Sequence, residues 1–294
     1  MWFSCSAIGA VTRFGIGYAA QREPSAYGSP DQLAVPEFDV ITELGRKGSS
    51  TLDRLSALAL LSARDCLDQA PAIPAGTGVT VSTTVGSMRS TLDYSGITIT
   101  DPKPWNVPPS LFPNTVMNAA AGLVAIRHGL TGPNTTLAGG KAGGIKAMSY
   151  IEMMTETALL SACLLVCAEE LTAPRSAWAA AAGDGPIGEA AVALLLTPDE
   201  VADRKFRIRV REGERTTDPA DALIVAGAWG LADSGGSAAD GHVVDAEEMF
   251  GVVDAATFGC QILMALHLLH AGQHARVIIP FPAARKRTWA EVEL

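Results

Sequence analysis

The segment Thr135-Thr136-Leu137-Ala138-Gly139-Gly140-Lys141-Ala142-Gly143-Gly144 constrains this chain more than any other. It predicts a buried strand over Thr135–Ala138, a glycine turn, and a helix from about Ala142 to Thr157. Glycines on both sides of one long side chain let the backbone turn sharply and approach whatever lies opposite. Lys141 is thereby held at a helix N-terminus, where free N–H groups favour negative charge and a cation is unwelcome. A strand–elbow–helix unit of this kind usually presents a nucleophile. Here the elbow carries an amine.

The flanking pattern is that of an α/β protein. A strand over Phe3–Ile8 ends in glycine-punctuated turns by Ile16, and Ala19–Phe38 has no period and reads as a loop. Ser50-Thr51-Leu52-Asp53 forms a Ser-x-x-Asp capping box. Leu52, Leu55, Ala59, Ala63, Cys66 and Leu67 then recur at helical spacing. Gly78–Thr83 is β-branched and strand-like, Thr98–Pro113 is a proline-rich connection, and Asn114 opens a helix through Arg127. Leu160–Ala168 and Ile187–Leu196 are apolar runs of the kind found in strands covered on both faces. Beyond Asp199 the texture changes. Phe206–Arg211 alternates apolar and basic, predicting a half-exposed strand with its arginines on one face. Thr216–Val244 is loop-rich, with Asp233–Asp240 as a tip. A helix over Ala255–Ala271 and a final strand over Ala275–Phe281 follow.

Hydrophobic residues make up 48% of the chain and aromatics only 6%, which suits a close-packed core with alanine and glycine contacts and a large apolar surface kept for a partner. No apolar run reaches the ~20 residues a membrane span needs, and Met1–Cys5 lacks the basic and apolar regions of a signal peptide. The five cysteines, Cys5, Cys66, Cys163, Cys167 and Cys260, are scattered through apolar patterns. They read as reduced and buried, which places the chain in the cytoplasm. A net charge of −9 argues against nucleic acid as a partner.

Several motifs together resemble one family. Leu137–Gly144 resembles the Val-Gly-Glu-Gln-Ala-Gly-Gly segment of chain length factors, the non-catalytic partners of type II polyketide ketosynthases. Ala125–Pro133 (AIRHGLTGP) looks like that family's helix-to-strand connection. Leu44-Gly45-Arg46-Lys47 and Leu52-Asp53-Arg54, just before and inside the helix that follows Ser50, also resemble the ketosynthase pattern, and Ile187–Leu196 resembles the Gly-Glu-Gly-Ala strand that closes the N-terminal half of the ketosynthase fold. The resemblance runs from Phe38 to Leu196 and is weak beyond. It implies a thiolase-like fold, layered α-β-α-β-α, in one compact unit. Residues 1–200 would form a complete N-terminal half and 201–294 an abbreviated C-terminal half, with no sequence repeat between them.

A condensing ketosynthase needs a cysteine thiolate at the elbow and two histidines. In the family the elbow holds cysteine in the active subunit and usually glutamine in the chain length factor; here it holds Lys141. Gly241-His242-Val243-Val244-Asp245 is at best a remnant of the family's His-Gly-Thr-Gly-Thr motif. Met249-Phe250-Gly251-Val252 puts valine where the second histidine would stand. The resemblance therefore implies a chain that does not condense. A Schiff-base or general-base role for Lys141 would require burial, and no carboxylate lies near it in sequence. The plainer readings are that Lys141 fills the space left by cysteine or pairs with an acid at a subunit interface. Cys163 and Cys167, four apart on a strand, read as core rather than metal ligands. His267, His270 and His274 lack an acidic third ligand. Arg207, Arg209 and Arg211, with Arg285-Lys286-Arg287, offer either a carrier-protein dock or a solvated strand edge.

By the same resemblance, the residues after the Gly78–Thr83 strand line the closed end of an acyl tunnel. Carried over, these are Ser87, Ser90 and Tyr94, on one face of a helix-like turn, with Met88 or Thr91 taking part if the register shifts by one. An ordinary surface turn is the competing reading. The expected partner is a catalytic ketosynthase, joined through antiparallel contact at Thr135, Thr136, Leu137, Ala138 and Gly139, with an acyl carrier protein visiting transiently. No cofactor or metal is expected. The function implied is a chain length factor subunit that sets polyketide or polyene length. The alternatives are a stand-alone thiolase-fold decarboxylase or hydrolase acting on carrier-bound acyl groups, and a homodimeric scaffold.

Overall fold

The computed structural model describes residues 1–21, 33–198, 204–213, 222–225 (backbone only), 243–272, 274–281 and 288–294. Its strands are β1 (Phe3–Thr12), β2 (Gly15–Ile16), β3 (Gly78–Thr83), β4 (Asn134–Ala138), β5 (Cys163–Glu169), β6 (Ala190–Thr197), β7 (Phe206–Glu212), β8 (Ala222–Val225), β9 (Val243–Asp245), β10 (Val277–Phe281) and β11 (Thr288–Glu293). The helices are α1 (Val40–Leu44), α2 (Arg54–Asp68), α3 (Met88–Thr100), α4 (Ala119–His128), α5 (Gly143–Glu156), α6 (Ala173–Ala182), α7 (Ala246–Phe250) and α8 (Thr257–His270).

All the strands join one sheet in the order β4-β3-β5-β6-β1-β7-β11-β10-β8-β9, with β2 folded back on β1. The order conceals a repeat. In the first group β4 and β5 flank β3 in parallel, and β6 and β1 follow antiparallel. In the second, β9 and β10 flank β8 in parallel, and β11 and β7 follow antiparallel. Each group thus has the same wiring, and the two meet where Phe3–Cys5 of β1 pair with Phe206–Ile208 of β7. This is the thiolase-like fold. Its second half is short in sequence but keeps every strand of the first.

The apolar runs of β5 and β6 divide strictly by parity. Cys163, Leu165 and Cys167 face a core shared with α5 and α8, whereas Leu164, Val166 and Ala168 face α2 and α4. Period-2 alternation within a wholly apolar strand means burial on both faces. That is why a membrane-like composition occurs here without a membrane span: among the described residues no helix is long and apolar enough to cross a bilayer. Helix α8 is apolar almost all round because it lies inside, against residues of both strand groups.

Several boundaries differ from expectation for local reasons. The N-cap of α2 is Asp53 rather than Ser50, its carboxylate accepting from the Ser56 N–H at 2.9 Å and the Ser56 hydroxyl at 2.8 Å. Asn114 starts no helix: its side chain donates to the Thr51 carbonyl at 2.6 Å, a 3-10 turn covers Pro109–Thr115, and α4 begins at Ala119. Helix α3 runs on to Thr100, into the stretch read as connection. Strand β4 is not buried but an edge, hydrogen-bonded among the described residues to β3 alone and half-exposed along its length. β10 is not the final strand, because β11 follows it. The Asp233–Asp240 tip lies outside the described residues.

The close approach of α5 to α8 is set by Gly144. A methyl group there would fall 2.3 Å from Phe258 Cβ, too close for any rotamer to relieve. Gly144→Ala is expected to cost about 1–3 kcal/mol through overpacking, seen as a lower midpoint in urea denaturation. An unchanged midpoint would show that the two helices separate freely.

Candidate functional site

Strand β4 runs in parallel register with β3, Ala138 opposite Thr83, and the chain then turns through Gly139 and Gly140. Gly140 adopts φ +54°, and a 3-10 turn over Gly140–Ala142 leads into α5. Lys141 leaves this elbow toward the second half of the chain, where its Nζ donates to Glu247 Oε1 at 2.8 Å. Glu247 lies in the first turn of α7, whose N-cap Asp245 accepts the Glu247 N–H at 2.9 Å. The acid that answers Lys141 is therefore in the same chain, 106 residues away, and sequence proximity gave no hint of it. With side chains only 20% and 17% exposed, the pair is largely withdrawn from water and is screened less than a surface ion pair. A nucleophilic amine must be unprotonated and free to attack; Lys141 instead donates to a carboxylate.

Beneath the elbow lies a buried polar bed that the sequence did not single out. Glu169, the last residue of β5, and Glu170 after it have 0% and 1% exposure. Glu169 Oε2 accepts from the Thr84 N–H at 3.1 Å, the Thr84 hydroxyl and the Ala255 N–H at 3.4 Å. Glu170 Oε1 accepts from the Arg89 N–H at 3.2 Å. Arg175 on α6 is fully buried. It donates to the carbonyls of Glu170, Gly188 and Val252 at 2.8, 2.8 and 2.9 Å, and to Asp254 Oδ2 at 2.8 Å. Glu189 binds the Arg54 guanidinium at 2.6 and 2.9 Å and caps the Val35 and Leu171 N–H groups at 3.1 Å each. Burial pushes the Glu169 carboxyl from 4.5 up to about 7, with Arg175 and Thr84 pulling the other way. Burial likewise raises Glu170 to about 7, against the N–H groups of Arg89 and Leu55. The visible signal was Glu-Glu at the end of an apolar strand. Arg175, Glu247 and Asp254 had none.

The residues carried over from the family sit as follows. Ser87 is the N-cap of α3, nearly buried, its Oγ accepting from the Ser90 N–H at 3.3 Å and donating to Ser90 Oγ at 3.0 Å. Met88 opens the helix, and Ser90, Thr91 and Tyr94 form its half-buried face. The Tyr94 ring meets Phe112 edge-on at 6.0 Å. Thr135, Thr136, Leu137, Ala138 and Gly139 lie together along the free edge of β4 and at its end; Thr135 shares a 2.8 Å hydrogen bond with Tyr150.

The remaining candidates resolve as structure. All five cysteines are free and buried, and burial raises the Cys163 and Cys167 thiols to about 12. His270 Nδ1 lies 2.7 Å from the Leu266 carbonyl of its own helix. Among the described residues no three His, Cys, Asp or Glu side chains are placed to hold a metal. Arg207 and Arg209 pair with Glu293 and Glu291 of β11, each at 2.6 Å, and lie over the Trp2 ring; they are neutralised rather than offered to a partner. Val252 is buried and pairs with Ile187. His242 and the Arg285-Lys286-Arg287 cluster lie outside the described residues.

This arrangement agrees with comparisons to known proteins. The model of the β-ketoacyl synthase N-terminal domain matches residues 29–182. The 3-oxoacyl-(acyl-carrier-protein) synthase 2 of Synechocystis is 28% identical over 146 residues, 48% of this chain and 33% of that protein; the match spans a third of the relative's length. Among solved structures, the ishigamide ketosynthase/chain length factor superposes with a TM-score of 0.81 at 26% identity, over 100% of this chain and 99% of that one. A type II PKS acyl-carrier protein in complex with its ketosynthase gives 0.82 at 11% identity, over 99% of each chain. A β-ketoacyl synthase from Burkholderia phymatum gives 0.78 at 14%, over 99% and 98%.

The buried carboxyls make stability depend on pH. Glu169 and Glu170 bind their protons more tightly folded than unfolded, so the folded chain holds extra protons between about pH 4.5 and 7. Their favourable contribution is present in full below the unfolded value and is lost as pH rises through about 7. The loss is at most about 3 kcal/mol per group. Urea midpoints taken from about pH 5 to about pH 8 are expected to fall, and the Glu169→Gln, Glu170→Gln double variant to show a flatter profile.

Proposed function

The chain belongs to the β-ketoacyl synthase family, and on that premise we propose that it is a chain length factor: a non-catalytic subunit that pairs with an active ketosynthase, completes its acyl tunnel and sets product length in type II polyketide or polyene biosynthesis. The observation that carries this reading is Lys141. It occupies the elbow where a condensing enzyme places its thiolate, and its amine is tied to Glu247. Val252 in place of a histidine supports the same conclusion. The likeness to the ishigamide ketosynthase/chain length factor extends over the whole chain.

The partner is argued from the surface. Strand β4 is a free sheet edge, and edges left open invite pairing. Leu92 and Ile99 on α3, Trp105 and Phe112 on the connection after it, and Trp178 on the neighbouring α6 are exposed by 48 to 83%. Aromatic and aliphatic groups in such number suit an obligate interface. In the proposed heterodimer β4 pairs antiparallel with its counterpart in the ketosynthase, and an acyl carrier protein delivers the chain to that subunit.

Lys141→Ala, co-purified with the ketosynthase, is expected to keep carrier-linked product formation within a factor of about two, since the thiol belongs to the partner. Loss of turnover with the heterodimer intact would overturn the non-catalytic reading. Turnover by this chain alone would favour a stand-alone decarboxylase or hydrolase instead.

Length control gives a second test. Ser90 and Tyr94 lie on the half-buried face of α3, and in this reading a ring at position 90 takes volume from the closed end of the proposed tunnel. Crowding costs ~1–3 kcal/mol, and ~1.4 kcal/mol shifts a partition tenfold. Ser90→Phe is therefore expected to shorten the dominant carrier-bound product by one or more two-carbon units, read by mass spectrometry. Ser87→Phe is the less clean variant because it also removes the helix cap. An unchanged distribution in Ser90→Phe would remove this face from the gate.

A further inference from the structure

Residues 84–87, between β3 and α3, are held from below by two adjacent carboxylates. Glu169 takes the backbone N–H and the hydroxyl of Thr84. Glu170 takes the N–H of Arg89, in the first turn of α3. The Arg89 side chain is elsewhere, paired on the surface with Asp93 at 2.6 Å, so Glu170 grips the helix by its backbone. Between these points Gly86 turns at φ +71° against Met117. The carboxylates themselves belong to a different segment from the loop. They stand at the end of β5, a strand hydrogen-bonded on both sides, to β3 and β6.

Chemistry sharpens the point. A buried carboxyl is costly unless it is paired or hydrogen-bonded, and a buried residue without charge would avoid that cost. Glu169 has Arg175 nearby, its Nε 3.9 Å from Oε1. Glu170 forms no ion pair among the described residues; it faces the N–H groups of Arg89 and Leu55, at the starts of α3 and α2, where exposed N–H groups favour negative charge. Of the donors of the first turn of α3, Ser87 caps Ser90 and Glu170 caps Arg89.

We propose that Glu169 and Glu170 are positioning residues that fix the start of α3 on the central sheet, and so set where the Ser90–Tyr94 face meets the growing acyl chain. The inference deepens the tunnel reading above and rests on it for its effect on length, though not for the anchoring itself.

The test uses the chain co-purified with its ketosynthase, with two readouts. Amide hydrogen exchange over residues 87–91 reports the anchor, and mass spectrometry of carrier-bound products reports length. Glu170→Ala is expected to speed exchange in that segment about fivefold to tenfold, as losing a helix cap does, and to broaden the product lengths. Glu170→Gln, which keeps an acceptor oxygen, is expected to restore both. Cys260→Ala, a core change on α8, should lower thermal stability and move neither. Where Glu170→Ala fails to fold, Thr84→Val, which removes one donor to Glu169, carries the same test with a smaller effect. Unchanged exchange over 87–91 would overturn the proposal, as would identical exchange in the Gln and Ala variants. Faster exchange with unaltered lengths would uphold the anchor and overturn α3 as the gate.

Discussion

One buried guanidinium holds the two halves of this molecule in relation to each other. Arg175 gives hydrogen bonds to three backbone carbonyls and one carboxylate. The carbonyls belong to the end of β5, the approach to β6, and the segment before α8. A guanidinium presents five donors in a rigid fork, and this one arrests three chain segments at fixed angles. Asp254, the carboxylate partner, has φ +37°, a conformation that a non-glycine residue keeps only when its surroundings over-determine it. The turn so fixed carries Ala255, which contacts Ser82, and its N–H reaches Glu169. Removing the Asp254 carboxylate would leave the buried guanidinium without its hydrogen-bonded counter-charge, a loss on the order of 3–5 kcal/mol.

The elbow built on this bed is a general device for presenting a side chain at a helix N-terminus. Gly143 approaches Ser82 so closely that an added methyl would lie 2.3 Å from its Oγ. A side chain at position 143 would push the start of α5 away from β3. A fold supplies a position and the residue supplies the chemistry. With a lysine held by Glu247, the position contributes a link between the halves.

Much of this was legible in the sequence, for physical reasons. The runs in β5 and β6 can be stable only with helices on both faces, and the glycines around Lys141 leave little choice but a sharp turn into a helix. What stayed hidden shares a cause. Strand β11 reads as polar because Glu291 and Glu293 answer the arginines of β7 across the ladder; each strand alone looks solvated. Helix α3 is rich in serine and threonine and buries no residue fully, so it has no apolar stripe to show. The Lys141–Glu247 and Arg175–Asp254 pairs span 106 and 79 residues, beyond the reach of any spacing rule. The repeat in strand order lives in hydrogen-bond pairing, which two unrelated sequences satisfy equally well.

That wiring has a consequence for how the chain is born. Strand β11 is made after β7, β8, β9 and β10, yet it lies between β7 and β10. Until residues 288–293 leave the ribosome, two strands of the second half have bare edges facing a gap that only β11 fills. Long-range pairing of this kind is slow, and open edges recruit strangers. When β11 arrives, its glutamates meet the arginines of β7 across the new ladder, so the strand that closes the gap brings charges complementary to the edge it covers.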